Sequence, residues 1–105
     1  MAPGLDTTEI KRLRGVIVEV LYGRHQAQQS RVDHVALWHI VRDLGCDVGE
    51  FDVVTQLQDL SDRGYLKYEE RKDRRTNRLD ISLIQLTSRG RDLREETVVD
   101  PAILF

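Results

Sequence analysis

The spacing of apolar residues changes character once along this chain, and that change restricts what it can fold into. From Asp6 to about Arg63 apolar side chains recur at steps of three and four, the period of a helix with one buried face. After Gly64 they alternate, the period of a strand. The expected order is therefore helix, helix, helix, strand, strand, helix, an α+β arrangement.

Local signals place the elements. Asp6 with Glu9 three residues on resembles a capping box, so a first helix should begin near Thr7. Ile10, Leu13, Ile17, Val20 and Leu21 share one face of it, and it should end near Tyr22-Gly23. The polar stretch Arg24 to Arg31 reads as a connection. Asp33 is an N-cap for a second helix over Val35 to Leu44, with Leu37, Ile40, Val41 and Leu44 inward and Gly45 closing it. Asp47 with Glu50 suggests another box, opening a third helix over Val48 to Arg63 whose inner face is Phe51, Val54, Leu57 and Leu60.

Gly64 should take positive φ and turn the chain into a strand, with Leu66 and Tyr68 on one side and Tyr65, Lys67 and Glu69 on the other. Lys72 to Arg78 is turn-compatible, and Leu79, Ile81 and Leu83 resume strand spacing with a slip expected at Leu83-Ile84. Thr87 should cap a short last helix from Ser88 to about Glu96. Residues 1–105 read as one domain, with a core over about 7–96 and an apolar tail, 97–105.

Composition narrows the class. With 40% hydrophobic and 32% charged residues, 105 residues can build one modest core under a soluble surface. Uncharged apolar runs such as Gly15 to Val18 are far below the roughly 20 residues a bilayer crossing needs. The start, Met1 to Asp6, lacks the basic and apolar regions of a secretory signal, so a cytoplasmic location is expected. The single Cys46 cannot form an internal disulfide. Net charge is -2, so any binding to nucleic acid must rest on a local basic patch.

Two ordered patterns carry a family resemblance: Leu57-Gln58-Asp59-Leu60-Ser61-Asp62-Arg63-Gly64-Tyr65-Leu66, and Leu86-Thr87-Ser88-Arg89-Gly90-Arg91-Asp92-Leu93. Over roughly Ile10 to Leu93 the chain resembles the winged helix-turn-helix domains of MarR- and PadR-like transcriptional regulators. The resemblance implies a three-helix core, a two- or three-stranded antiparallel wing and a short C-terminal helix. It also implies binding of double-stranded DNA, sequence-specific or general, in transcriptional regulation.

In such domains the third helix enters the major groove, so Glu50, Asp52, Thr55, Gln56, Gln58 and Asp59 are its expected outward residues. Thr55, Gln56 and Gln58 suit base contacts, because glutamine can pair bidentately with adenine and threonine offers a methyl and a hydroxyl. The wing would hold phosphate through Arg71, Lys72, Arg74, Arg75 and Arg78, five cations against Asp73 alone in eight residues. Lys11, Arg12 and Arg14 would extend that patch.

Against this, the stretch Asp47 to Arg63 holds Asp47, Glu50, Asp52, Asp59 and Asp62 with only Arg63, and carboxylates oppose phosphate. That charge motivates the alternative, a winged-helix protein-interaction or assembly module that binds no DNA. No metal site is expected, since His34 and His39 lie about 140° apart around a helix and Cys46 has no cysteine partner. Trp38 reads as core or interface filler. No glycine-rich phosphate loop, nucleophile elbow or His-carboxylate constellation appears, so neither catalysis nor a cofactor is expected. The tail Val98-Val99 and Ala102 to Phe105 should dock on its own domain or on a second copy, and a homodimer through the first helix and this tail matches symmetric half-sites.

Overall fold

Asp6 opens α1 (Thr7–Gln26) by accepting the Glu9 backbone N–H at 2.8 Å, as its position before the first apolar residues requires. A computed structural model of the chain describes residues 5–27 and 31–105; the first four residues and residues 28–30 of the expected connection lie outside them. Helix α1 continues past the expected stop at Tyr22-Gly23, with Arg24 and His25 in the last turn, where cations favour the C-terminal dipole. Asp33 caps α2 (His34–Asp43) through the Ala36 N–H at 2.8 Å.

The third helix, α3 (Glu50–Asp62), starts later than the sequence suggested. Its N-cap is Gly49, whose N–H donates to Asp52 Oδ2 at 2.9 Å, so Asp52 does the work assigned to the Asp47 and Glu50 pair. Glu50 is drawn elsewhere, as described below. Gly45 and Gly64 both take positive φ, 96° and 84°, where the chain leaves α2 and α3.

The two strands, β1 (Leu66–Lys72) and β2 (Leu79–Leu86), form one antiparallel hairpin. Lys67 faces Gln85 but Glu69 faces Ser82, so two steps on β1 match three on β2. The extra residue is a bulge at the expected slip, with Leu83 at φ 54° and exposed. The bulge turns the Ile84 N–H out of the hairpin and onto Val32 O at 3.0 Å, which pins the segment before α2 to the sheet.

Helix α4 (Ser88–Arg94) is capped by Thr87, whose hydroxyl accepts the Gly90 N–H at 3.2 Å and donates to Gly64 O at 2.6 Å. A Cβ at Gly90 would overlap the Tyr65 carbonyl, so only glycine lets α4 approach the turn out of α3 this closely. The result is an α+β fold of four helices and a two-stranded antiparallel sheet. Its core joins Leu13, Ile17 and Val18 of α1, Leu37 and Val41 of α2, Val53, Leu57 and Leu60 of α3, and Ile81 and Ile84 of β2.

Two inward stripes differ from expectation. In α2, Leu44 is 62% exposed and its place is taken by fully buried His34, which lies three and seven residues before Leu37 and Val41. In α3, Phe51 is 80% exposed. A strict step of three falls behind the 3.6-residue turn by about 60° each time, so Phe51 cannot share a face with Leu57 and Leu60. Val53, at steps of four and seven from those leucines, fills the inner position.

The tail docks on its own chain only in part, while Val99, Leu104 and Phe105 stay exposed. Ile103 is buried, Leu104 N–H donates to Lys11 O at 3.1 Å, and Arg14 Nη1 donates to Ala102 O at 3.1 Å. Asp100 anchors the segment by accepting the Tyr65 hydroxyl at 2.6 Å, with Arg63 Nη1 3.6 Å away. Among the described residues, no helix is long and apolar enough to cross a membrane.

Candidate nucleic-acid interface

The hairpin tip is built by Asp73. Its carboxylate accepts the Arg75 N–H at 2.8 Å, its own N–H donates to Arg78 O at 2.9 Å, and its carbonyl accepts the Asn77 N–H at 2.8 Å. Asn77 takes positive φ, 57°, which asparagine tolerates, and closes the loop. The only carboxylate of the tip is thus turned to the backbone. Arg71, Lys72, Arg74, Arg75 and Arg78 are all exposed, and of the five only Arg78 enters an ion pair with a carboxylate. Arg71 and Lys72 belong to β1, opposite Asp80 and Leu79, while Arg74 and Arg75 occupy the turn itself.

Arg78 ties this tip to α3. Its Nη2 lies 3.3 Å from Glu50 Oε1, and the same oxygen receives His34 Nε2–H at 2.7 Å. On the other side of the ring, His34 Nδ1 accepts the Ile81 N–H of β2 at 3.1 Å, with Asp80 Oδ1 at 3.8 Å. A ring carrying its proton on Nε2 satisfies both bonds. The His34 N–H holds the Glu50 carboxyl below its ordinary range against the opposing effect of partial desolvation, and Arg78 adds to the lowering. Three elements, α2, α3 and the hairpin, therefore meet at one carboxylate oxygen.

The outward side of α3 is not the one the sequence suggested. Thr55 and Gln58 are exposed, in agreement with their expected placement, but Gln56 is 6% exposed. Its Oε1 accepts Arg14 Nε at 2.8 Å, so it serves the contact between α1 and α3 and cannot reach a base. The reason is angular: Gln56, at steps of three and four from Val53 and Leu60, lies about 60° and 40° from them at the edge of the buried face. Arg14 is likewise removed from any phosphate patch. Its side chain, 15% exposed, is spent on Gln56, on Asp59 Oδ2 at 3.2 Å and on Ala102 O.

These contacts also change the charge of α3. Asp59 is paired with both Arg14 and Arg63, the latter at 2.8 Å, and Glu50 with Arg78 and His34. Asp52 caps Gly49. Phe51, Thr55 and Gln58 fall within an arc of about 60° on the outer face, and the paired carboxylates lie to either side of it. The acidic count of the sequence is a property of the flanks, with Asp62 the one carboxylate at the far end of the outer arc.

Trp38 and His39 have structural partners, while Arg12 is exposed. Trp38 is half-buried and donates through Nε1 to Val48 O at 2.9 Å, with the Arg42 guanidinium over its ring. His39 is exposed and stacks on Trp38. Burial pushes the half-buried Cys46 thiol upward, toward the unreactive protonated form. His34 and Gln56 were legible in principle, since both sit at helical steps from buried aliphatic residues. Arg14 carried no such signal, because its partners lie 42 and 88 residues away. Comparison with known proteins adds nothing to this geometry: no family model, curated protein or solved structure matches the chain.

Proposed function

We propose that this chain is a non-catalytic winged-helix domain that binds double-stranded DNA, with α3 in the major groove and the hairpin as the wing on the phosphate backbone, in a regulatory role. The observation that carries the reading is the Arg78–Glu50 ion pair at 3.3 Å, which holds a cationic tip, its one carboxylate Asp73 bonded to the backbone, beside the first turn of α3. Thr55 and Gln58 supply polar groups to the groove, while Arg71, Lys72, Arg74 and Arg75 supply charge to the backbone. Gln56 has no part in it. A pair of domains on a symmetric site would meet through the exposed remainder of the tail, Val99, Leu104 and Phe105.

Fluorescence anisotropy on a labelled random-sequence duplex across a salt series tests the reading. Affinity should fall steeply between about 50 and 200 mM salt, and each lost phosphate contact should reduce the log-log slope by about 0.9. Arg74→Ala with Arg75→Ala is expected to lower the slope by about twice that. Absence of binding at low salt, or a slope unmoved by the double substitution, would refute it. The former result would favour an interaction module whose partner is another protein.

A further inference from the structure

Phe51 is the most exposed of the described phenylalanine, tyrosine and tryptophan rings, and it stands in the first turn of α3 at 80% exposure. Isolated apolar residues on a surface are ordinary. This one is set apart by its neighbours. Thr55 and Gln58 continue its line along the helix, at steps of four and seven, and both are exposed and uncharged. Of the carboxylates flanking that line, Glu50 and Asp59 are paired with arginines of the same chain, and Asp52 accepts the Gly49 N–H. The cationic tip is fastened to the residue next to Phe51. From Phe51 to Gln58 the ridge is thus uncharged and carries one large apolar group; the cationic tip borders its Phe51 end, and exposed Asp62 closes the far end.

The major groove offers one apolar feature, the C5-methyl group of thymine, and residues at the start of an inserted helix are those that reach base edges. We propose that Phe51 reads thymine, its ring packing on C5-methyl groups, with the Thr55 methyl one turn later extending the contact and Gln58 facing adenine. The interface then prefers A·T-rich duplex. This rests on the duplex-binding reading above and assigns to it a specificity residue that the helical pattern had placed in the core.

The test compares a labelled alternating d(A-T) duplex with a d(A-U) duplex of the same length, which lacks only the methyl groups. Wild-type protein should bind the thymine form more tightly by about fourfold for each methyl buried. Phe51→Ala should lose most of that preference, keeping only the share of the Thr55 methyl, and should keep the salt slope of the wild type, since an exposed side chain adds little to the fold. Equal binding of the two duplexes by wild type overturns the thymine assignment and leaves duplex binding intact. Discrimination undiminished in Phe51→Ala also overturns it, because uracil then acts through something other than the Phe51 ring. No binding to either duplex at low salt overturns the duplex reading and this inference together.

Discussion

Replacing Gly15 with alanine should unsettle the C-terminal segment, against the usual gain of such a change inside a helix. Propensity alone favours alanine by about 1 kcal/mol. At this position, however, a Cβ would overlap the carbonyl of Leu104, which is backbone and cannot rotate away. The tail must lift. Lifting removes the Leu104 N–H bond to Lys11 O and the Arg14 bond to Ala102 O, about 1 kcal/mol each, and exposes Ile103, worth about 2 kcal/mol. The loosened residues regain conformational entropy, so the expected net loss is about 1–3 kcal/mol, or roughly 4–8 °C in Tm per kcal/mol.

Gly23 supplies the control within the same helix, because a Cβ there meets nothing within 4 Å; Gly23→Ala should raise stability by up to about 1 kcal/mol. Urea denaturation followed by circular dichroism reads both. If the tail has lifted, Ile103→Ala should cost much less in the Gly15→Ala background than in wild type. A Gly15→Ala protein as stable as wild type, or more so, would refute the docking described for the tail.

Further outcomes follow from single contacts. His34→Ala should destabilise by about 2–5 kcal/mol in chemical denaturation, since it leaves a cavity and a buried Ile81 N–H without its acceptor. Asp100 is held below its ordinary value of 3.8, first by the Tyr65 hydroxyl and then by the Ala102 N–H, Arg63 and Arg14. Its folded value is depressed, so its stabilisation is complete above about pH 5 and is lost as pH falls through that lower value. Asp100→Asn should therefore cost about 1–2 kcal/mol at about pH 7, with the two stability curves converging in acid. Gly90→Ala should cost more than 1 kcal/mol, because the obstructing atom is the Tyr65 carbonyl; a neutral result in thermal unfolding would contradict the close approach of α4.

What could be seen in the residues was local. Asp6, Asp33 and Thr87 each cap the helix they precede, and Gly45 and Gly64 end helices with positive φ, because these effects act within a few residues. The slip at Leu83-Ile84 was legible as two adjacent apolar residues where alternation called for one, and the bulge sits there. The candidate interface was less legible. Reading α3 at a fixed step of three put Phe51 inside and left Gln56 outside, whereas the 3.6-residue turn reverses both. Counting charges along the segment made α3 look hostile to phosphate, since the arginines that offset Glu50 and Asp59 come largely from α1 and the hairpin. No local pattern reveals pairs separated by 28 or more residues, as Glu50 is from Arg78.

The shared oxygen of Glu50 has a mechanical consequence. With His34 on one side and Arg78 on the other, the span from the hairpin tip to the outer ridge of α3 is preset, like callipers locked at one gauge. A partner of matching width meets both jaws without ordering either, which spares the entropy of induced fit. One of different width engages a single jaw at a time. If the domain binds duplex as proposed above, the same lock would favour B-form over A-form helices by groove geometry, before any base is read.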